Sequence, residues 1–200
     1  LVALLEEGEI EHALLRLAEL GAATAIHPRL AADEEAVRIL RRARQLAQRY
    51  RVEVPAWRLG LAVLARRMPA DELYAWLERL KVRRRDADQI AAAVRLAPLL
   101  AARLRDPSLA PAEVVALVEG HDPDAPLLAL ATEDVPALHR YFGQLRGVRL
   151  EVTGRDLAAL GLGESPRVGE ILAELRRRKL NGELDGRESE LACARELIGA

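Results

Sequence analysis

This chain of 200 residues has little of several residue types that particular protein classes require. Its one cysteine, Cys193, excludes an internal disulfide framework and a cysteine-based zinc site, and it suits a reducing, cytosolic compartment. Only six residues are aromatic, and valine, isoleucine and threonine number 14, 6 and 3, so a mainly β protein is not expected. The apolar runs are short and broken by charges, which predicts neither a membrane span nor a signal peptide.

Leucine and alanine, with 37 and 36 residues, dominate the composition, and both are strong helix formers. The chain is 50% apolar and 30% charged, which favours a folded protein over a disordered one. Its length allows one sizeable domain or two small ones. We therefore predict an all-α protein of about ten short helices in an antiparallel stack, with a small helical tail at the C-terminal end.

Caps and chain breakers place these helices along the sequence. Apolar spacing predicts an early helix over residues 10–20. Asp33 is expected to cap the second helix, and Arg85 or Asp86 to begin a long fifth helix. Residues 120–126 (GHDPDAP) are interpreted as a turn-rich connection.

The last third of the chain contains a linker and two predicted helix caps. Residues 148–152 alternate apolar and charged side chains, but five residues cannot make a sheet alone, so we interpret them as a linker. Thr153 and Asp156 have the spacing of a capping box, and Ser165 is expected to cap a helix that begins with proline.

Four aromatic residues along the whole chain are assigned to the core: Trp57, Tyr74, Trp76 and Phe142.

Two pairs of aspartates have the spacing of magnesium ligands. Asp86-x-Asp88 and Asp122-x-Asp124 resemble the paired acids that hold two metal ions in nucleotidyl transfer. Such pairs work at a strand edge beside a glycine-rich nucleotide loop, and neither feature accompanies them here. We therefore interpret Asp86 as a helix cap and Asp122 and Asp124 as turn formers. A metal site at His121 is not favoured either, since it lies in the same connection, and the sequence contains no convincing active site.

The formal net charge is −1, but the charged residues are distributed very unevenly along the chain. Residues 36–105 carry a net +11, whereas residues 1–35 and 106–134 carry −6 and −7, and residues 135–200 carry +1. Of the 30 basic residues, 28 are arginines, whose planar guanidinium suits bidentate contacts with phosphate. From charge alone, phosphate binding and a merely solvated arginine-rich surface stay equally open.

A second candidate for phosphate binding is the glycine-rich run at residues 161–169 (GLGESPRVG). It leads into a helix N-terminus that carries Arg167, where free backbone N–H groups can hold an anion. Gly169 would let another backbone approach closely. The alternative is an ordinary connection between two helices, in which Gly169 permits close helix packing.

Five segments of the chain match motifs of a known family. The first, residues 15–28 (LRLAELGAATAIHP), looks like the end of the RNA-binding segment that follows the neck in bacterial tRNA nucleotidyltransferases and poly(A) polymerases. Residues 153–162 (TGRDLAALGL), 165–172 (SPRVGEIL) and 180–184 (LNGEL) resemble the family's C-terminal motif, and residues 145–148 (LRGV) fit the lead-in to it. A serine stands at the start of SPRVGEIL, where the family usually has glycine. The resemblance extends over nearly the whole chain.

The resemblance implies a reaction carried out elsewhere in a longer protein. Enzymes of this family add CCA, or only the terminal A, to the 3′ end of tRNA from CTP or ATP with magnesium, and consist of head, neck, body and tail. Nothing in this chain matches the catalytic motifs of the head or the nucleotide-selecting motif of the neck. The chain also begins with Leu1 rather than methionine. We therefore expect a fragment that is inactive alone and works in the cytoplasm with its own N-terminal catalytic head.

By the same resemblance, residues 1–32 end the RNA-binding segment after the neck, residues 33–148 form the helical body, and residues 149–200 form the tail. The expected partner is tRNA, gripped at its acceptor and T arms through phosphates and 2′-hydroxyls. No cofactor is expected in this fragment, and magnesium with ATP or CTP is implied for the missing head.

The residues expected to contact RNA are cations at helix ends and one glycine, chosen from charge and turn chemistry. The set comprises Arg83, Arg84, Arg85, Arg155, Arg167, Gly169 and Lys179. The alternative function is a helical protein-interaction or oligomerisation scaffold without RNA binding. In that case the +11 segment would meet acidic segments of another copy.

Overall fold

The computed structural model describes residues 19–163 and 165–199, together with Leu5, Leu14 and Arg16. All regular secondary structure in this part of the chain is helical, which confirms the predicted all-α class. None of the described helices is long and apolar enough to cross a membrane. The α-helices are α1 (Ala22–Ile26), α2 (Glu34–Tyr50), α3 (Ala56–Leu64), α4 (Ala70–Arg79), α5 (Arg84–Arg103), α6 (Pro111–Val118), α7 (Asp124–Thr132), α8 (Pro136–Gly143), α9 (Gly154–Ala159), α10 (Pro166–Leu180) and α11 (Gly186–Gly199), with a 3-10 turn at Leu145–Gly147.

Helix α5 is the centre of the first of two compact units, which comprises residues 1–106 and 118–139. It packs against α3, α4 and α7, and α2 packs against α3 and α7. Leu61, Leu77, Ile90 and Leu127 are fully buried in this core. The basic start of α5 is therefore one end of a well-packed helix. The helix predicted over residues 10–20 lies mostly outside the described residues.

Helix α7 is absent from the sequence prediction because its residues show no helical periodicity. Residues 124–131 are all buried, so the segment has no polar face to alternate with an apolar one. Pro123 precedes the helix and Pro126 lies in its first turn, where a missing N–H breaks no helical hydrogen bond. The interpretation of residues 120–126 as a turn-rich connection is therefore wrong from Asp124 onward.

Two predicted helix starts have different outcomes. Asp33 caps α2, and its Oδ1 accepts a hydrogen bond from the Ala36 backbone N at 2.8 Å, as predicted. Helix α5 begins earlier than predicted, at Arg84, and Arg83 occupies its N-cap position. Asp86 therefore lies inside the first turn and is not the cap.

The assignment of aromatic residues to the core is correct for Trp76 and Phe142, which are buried, whereas Trp57 is half-buried. It is wrong for Tyr74, which is 37% exposed. Helix α4 buries Leu73, Trp76 and Leu77. Tyr74 follows Leu73 directly, and one residue turns a helix by about 100°, which points its side chain away from that face.

The second unit comprises residues 107–117 and 140–200. Helix α10 packs against α9 and α11, and the buried core of this unit consists of Val152, Leu157, Ile171, Leu175, Cys193 and Ala194. Residues 148–152 form no strand, as predicted. The Thr153 backbone N donates to Asp156 Oδ2 at 2.8 Å, in agreement with the predicted capping box at the start of α9. The functional boundaries at residues 32 and 148 stay predictions.

Candidate nucleic-acid interface

The start of α5 presents three consecutive exposed arginines, Arg83, Arg84 and Arg85. The Arg84 Nε lies 3.2 Å from Asp88 Oδ1, and its guanidinium lies 5.2 Å from the centre of the Tyr74 ring. Arg83 and Arg85 have no hydrogen-bonding or charged partner within the described part of the chain. Their charges are therefore available to an anion, and the positive end of the α5 dipole adds to the same field.

Arg155 is an exposed cation of the second unit. It lies in the first turn of α9 and has no partner among the described residues. It borders a surface cavity of about 560 Å³, which is also lined by Gly154, Leu162 and Val168. The cavity wall is apolar and the guanidinium at its edge is unpaired, so the arrangement suits a ligand with an anionic group.

Arg167 is exposed but already engaged. Its Nη2 donates to the backbone oxygen of Leu197 at 3.0 Å, close to the C-terminal end of α11. Carbonyl groups in the last turn of a helix lack helical donors, so this contact caps α11.

Gly169 lies on an exposed part of α10, and no described atom comes within 4 Å of the place where a Cβ would sit. Close packing against another described helix therefore does not explain this glycine. The open surface around it is compatible with the approach of an external backbone, which stays a prediction.

Lys179 is the cation of a buried ion pair. Its Nζ lies 2.6 Å from Glu190 Oε1, and the Glu190 side chain is completely buried. Glu190 Oε2 accepts hydrogen bonds from the backbone N atoms of Glu151 and Val152 at 2.9 and 2.8 Å. Burial acts to raise the pKa of Glu190, but Lys179 and the two backbone donors together lower it below its usual range. This cluster fixes the linker onto α10 and α11, and it occupies the charge of Lys179.

The seven predicted contact residues thus fall into two groups in two separate units. Arg83, Arg84 and Arg85 belong to the first unit, and the other four belong to the second. Arg167 and Lys179 use their donors within the chain. The cations of the set that have no partner in the described residues are Arg83, Arg85 and Arg155.

The first unit contains a buried charge cluster that the sequence did not predict. Arg58 is 8% exposed, and its Nε and Nη2 donate to the two carboxylate oxygens of Asp124 at 2.8 and 2.7 Å. Its other contacts are with Asp86 and Asp122, at 3.6 and 3.4 Å. Gln89 bridges Arg58 and Asp122 by hydrogen bonds. Three of the four aspartates with the spacing of metal ligands therefore surround the Arg58 guanidinium.

This cluster corrects the interpretation of Asp124 as a turn former. Burial and the neighbouring Asp122 carboxylate raise the pKa of Asp124 to about 6, although Arg58 opposes that shift. Among the described residues, no group of three or more histidine, cysteine or acidic side chains has an arrangement that fits a metal ion. The sequence feature that could have predicted the cluster is the single arginine inside the apolar helix α3 (AWRLGLAVL), because a buried arginine requires acidic partners.

A hydrogen-bonded chain of Tyr50, His139 and Asp134 also occurs in the first unit. The Tyr50 hydroxyl lies 2.6 Å from His139 Nδ1, and His139 Nε2 lies 2.9 Å from Asp134 Oδ1. Arg42 also donates to Asp134 Oδ1 at 2.6 Å. The order of groups resembles a catalytic relay, but Asp134 is largely exposed, whereas the acid of such a relay is normally buried. We interpret the chain as a tie between α2 and α8.

Comparison with known proteins identifies relatives among tRNA nucleotidyltransferases. No family model matches the sequence. The A-adding tRNA nucleotidyltransferase of Geobacter sulfurreducens is 26% identical over 210 residues, which cover 97% of this chain and 24% of that enzyme. The CCA-adding enzyme of Thermotoga maritima complexed with tRNA matches with a TM-score of 0.74 and 19% identity, over 98% of this chain and 48% of that one. A CCA-adding enzyme in an apo form matches with a TM-score of 0.72 and 19% identity, over 100% of this chain and 48% of that one.

These matches confirm the resemblance seen in the sequence. The chain is related to the tRNA nucleotidyltransferases, and its all-α fold is that of part of the CCA-adding enzymes. It spans about half the length of the solved structures and about a quarter of the curated relative.

Proposed function

We propose that this chain is the tRNA-binding body and tail of a cytoplasmic tRNA nucleotidyltransferase. It grips the acceptor and T arms of tRNA, so that a catalytic head in the same protein adds CCA or only A to the 3′ end. The observation that carries this proposal is the similarity, over nearly the whole chain, to a CCA-adding enzyme whose structure was solved with tRNA.

The charge on the surface supports the proposal. Arg83 and Arg85 at the start of α5, and Arg155 on α9, are exposed and have no partner in the described residues. An RNA duplex is recognised mainly by its shape, through phosphates and 2′-hydroxyls, and arginines at helix ends suffice for such contacts. The +11 segment, residues 36–105, lies wholly within the first unit and concentrates this field there.

The catalytic step belongs to the proposed head. Three of the four acids that resemble magnesium-binding pairs, Asp86, Asp122 and Asp124, surround Arg58, and the fourth, Asp88, pairs with Arg84. We assign magnesium and ATP or CTP to the head, and no chemical step to the residues described here.

The proposal is tested by binding of a tRNA acceptor minihelix to the 200-residue chain, measured by fluorescence anisotropy at several salt concentrations. We expect affinity that falls steeply with salt, because phosphate contacts release counterions. The double variant Arg83→Ala, Arg85→Ala should weaken binding. The control Arg103→Ala, Arg105→Ala removes two exposed cations at the opposite end of α5, roughly 30 Å away, of which Arg105 is paired with Glu133, and it should leave binding nearly unchanged.

Two results would contradict the proposal. One is the absence of binding at low salt, and the other is binding that responds neither to salt nor to loss of Arg83 and Arg85. A mass that rises with protein concentration in light scattering, without any RNA binding, would instead favour the protein-interaction scaffold.

A further inference from the structure

A surface groove between α4 and α5 is bordered by Tyr74, whose ring contacts Arg84 at the start of α5. It has a volume of about 520 Å³ and is lined on one side by Tyr74, Leu73 and Met68. On the other side Ala91 and Ala92 of α5 line it, and their short side chains keep the helix surface low. The groove therefore has a largely apolar interior of the size that holds a small organic group.

Tyr74 is the aromatic wall of this groove, and its ring is held in a fixed position. Its hydroxyl donates to Asp88 Oδ1 at 3.1 Å, and the Arg84 guanidinium lies 5.2 Å from the ring centre. Burial and the Asp88 carboxylate raise the pKa of Tyr74, so the phenol stays neutral at physiological pH. A fixed, exposed and uncharged ring is a preorganised stacking surface, since binding does not have to immobilise it.

The polar groups of the groove are those that a nucleotide requires. Arg95 lines the groove, is exposed and has no hydrogen-bonding or charged partner among the described residues. Pro98 lies four residues after Val94 in α5 and has no N–H, so the Val94 carbonyl lacks its regular helical donor. Val94 also lines the groove. A cation and a residue whose carbonyl lacks its regular helical donor thus accompany the aromatic wall.

Charge favours RNA over an apolar ligand as the occupant. The groove lies in the segment of net charge +11, and Arg95 lines it. The Arg84 guanidinium lies over the Tyr74 ring and is paired with Asp88, whose carboxylate also lines the groove. Arg66 also lines it but is neutralised by Asp33 and Glu35, each 2.7 Å from its Nη2. Base stacking on an aromatic ring beside a cation is the usual way in which proteins hold unpaired nucleotides.

We infer that this groove, termed the Tyr74 groove, binds one unpaired nucleotide of the RNA. The base stacks on the Tyr74 ring, and its phosphate pairs with Arg95. The inference rests on the proposed function, because it places a single-stranded nucleotide beside the duplex held by Arg83 and Arg85.

The test compares two RNA hairpins with the same duplex, one blunt and one with a three-nucleotide 3′ overhang that contains 2-aminopurine. Affinity for the 200-residue chain is measured by anisotropy, and stacking by quenching of 2-aminopurine. We expect the overhang to increase affinity at least about fivefold, as one stacked base does in other single-strand-binding proteins. Tyr74→Ala should abolish this preference and the quenching, whereas Tyr74→Phe should keep both within about twofold.

The matched control is Leu99→Ala, which removes a side chain that is 57% exposed on the same helix but does not line the groove. It should change neither hairpin's affinity, and circular dichroism should show that all variants are folded. The inference is overturned if the overhang adds no affinity, or if Tyr74→Ala keeps the preference and the quenching. Salt-dependent binding of the blunt hairpin in that case leaves the proposed function standing, whereas failure of both hairpins to bind overturns both.

Discussion

Two kinds of arginine with opposite roles lie at the N-terminal end of α5: the buried Arg58 of α3, and the exposed arginines of α5 itself. On its inner side, Asp86 and Gln89 join Asp122 and Asp124 around Arg58, which is buried. On its outer side, Arg83 and Arg85 are exposed and have no partner in the described residues. The number of arginines in a segment therefore does not say how many of them can bind a phosphate. Burial and carboxylate partners decide which charges hold the fold and which reach a ligand.

The largest expected effect follows from removing the buried arginine. Arg58→Ala leaves Asp124 buried next to Asp122 without its cation, which should lower the free energy of unfolding by about 3–5 kcal/mol. Urea denaturation measures this change. Arg58→Lys keeps the charge but loses the bidentate contact, so it should be intermediate. A loss below about 1 kcal/mol for Arg58→Ala would show that the cluster does not stabilise the fold.

A smaller loss of stability is expected for the buried pair of the second unit. Lys179→Ala removes the cation from the completely buried Glu190, which keeps its two backbone donors. We expect a loss of about 2–3 kcal/mol in thermal or urea unfolding. Arg178→Ala, a neighbouring and more exposed cation, is the control and should cost less. If Lys179→Ala keeps full stability but weakens RNA binding, Lys179 belongs to the RNA-binding surface instead.

The pH dependence of stability tests the environment of Asp124. Its pKa is raised from 3.8 to about 6, so the folded state binds more protons than the unfolded state between these values. This contribution is fully present below pH 4 and is lost as pH rises through about 6, by about 2–3 kcal/mol. The measurement is the free energy of unfolding of the wild type minus that of Asp124→Asn, from pH 4 to pH 7, which should fall as pH rises. A value that stays constant or rises over this range would contradict the assignment.

The smallest effects on stability are expected for the exposed arginines. Arg167→Ala removes a donor to the last carbonyls of α11 and should cost about 0.5–1 kcal/mol. Arg85→Ala removes no contact within the described residues and should change stability by less than about 0.5 kcal/mol. Thermal unfolding of both variants distinguishes them, and equal losses would show that the Arg167 contact contributes nothing.

Local signals predicted much of the fold, because caps and amphipathic spacing act over a few residues. Asp33 at α2 and the Thr153–Asp156 box at α9 are examples. Helix α7 was not predictable in this way, since a helix buried on all sides has no periodicity. The roles of Lys179 and Arg58 depend on partners 11 to 66 residues away in sequence, and such pairings exist only once the helices have packed.

The salt dependence of RNA binding shows whether the start of α5 contacts phosphates, since it counts the phosphates that the protein neutralises. The logarithm of the affinity for an acceptor minihelix is plotted against the logarithm of salt concentration. We predict that Arg83→Ala, Arg85→Ala lowers the slope by roughly 1.5–2, as expected for two lost phosphate contacts, while Arg103→Ala, Arg105→Ala leaves it unchanged. Equal slopes for the wild type and both double variants would contradict the assignment of RNA binding to the start of α5.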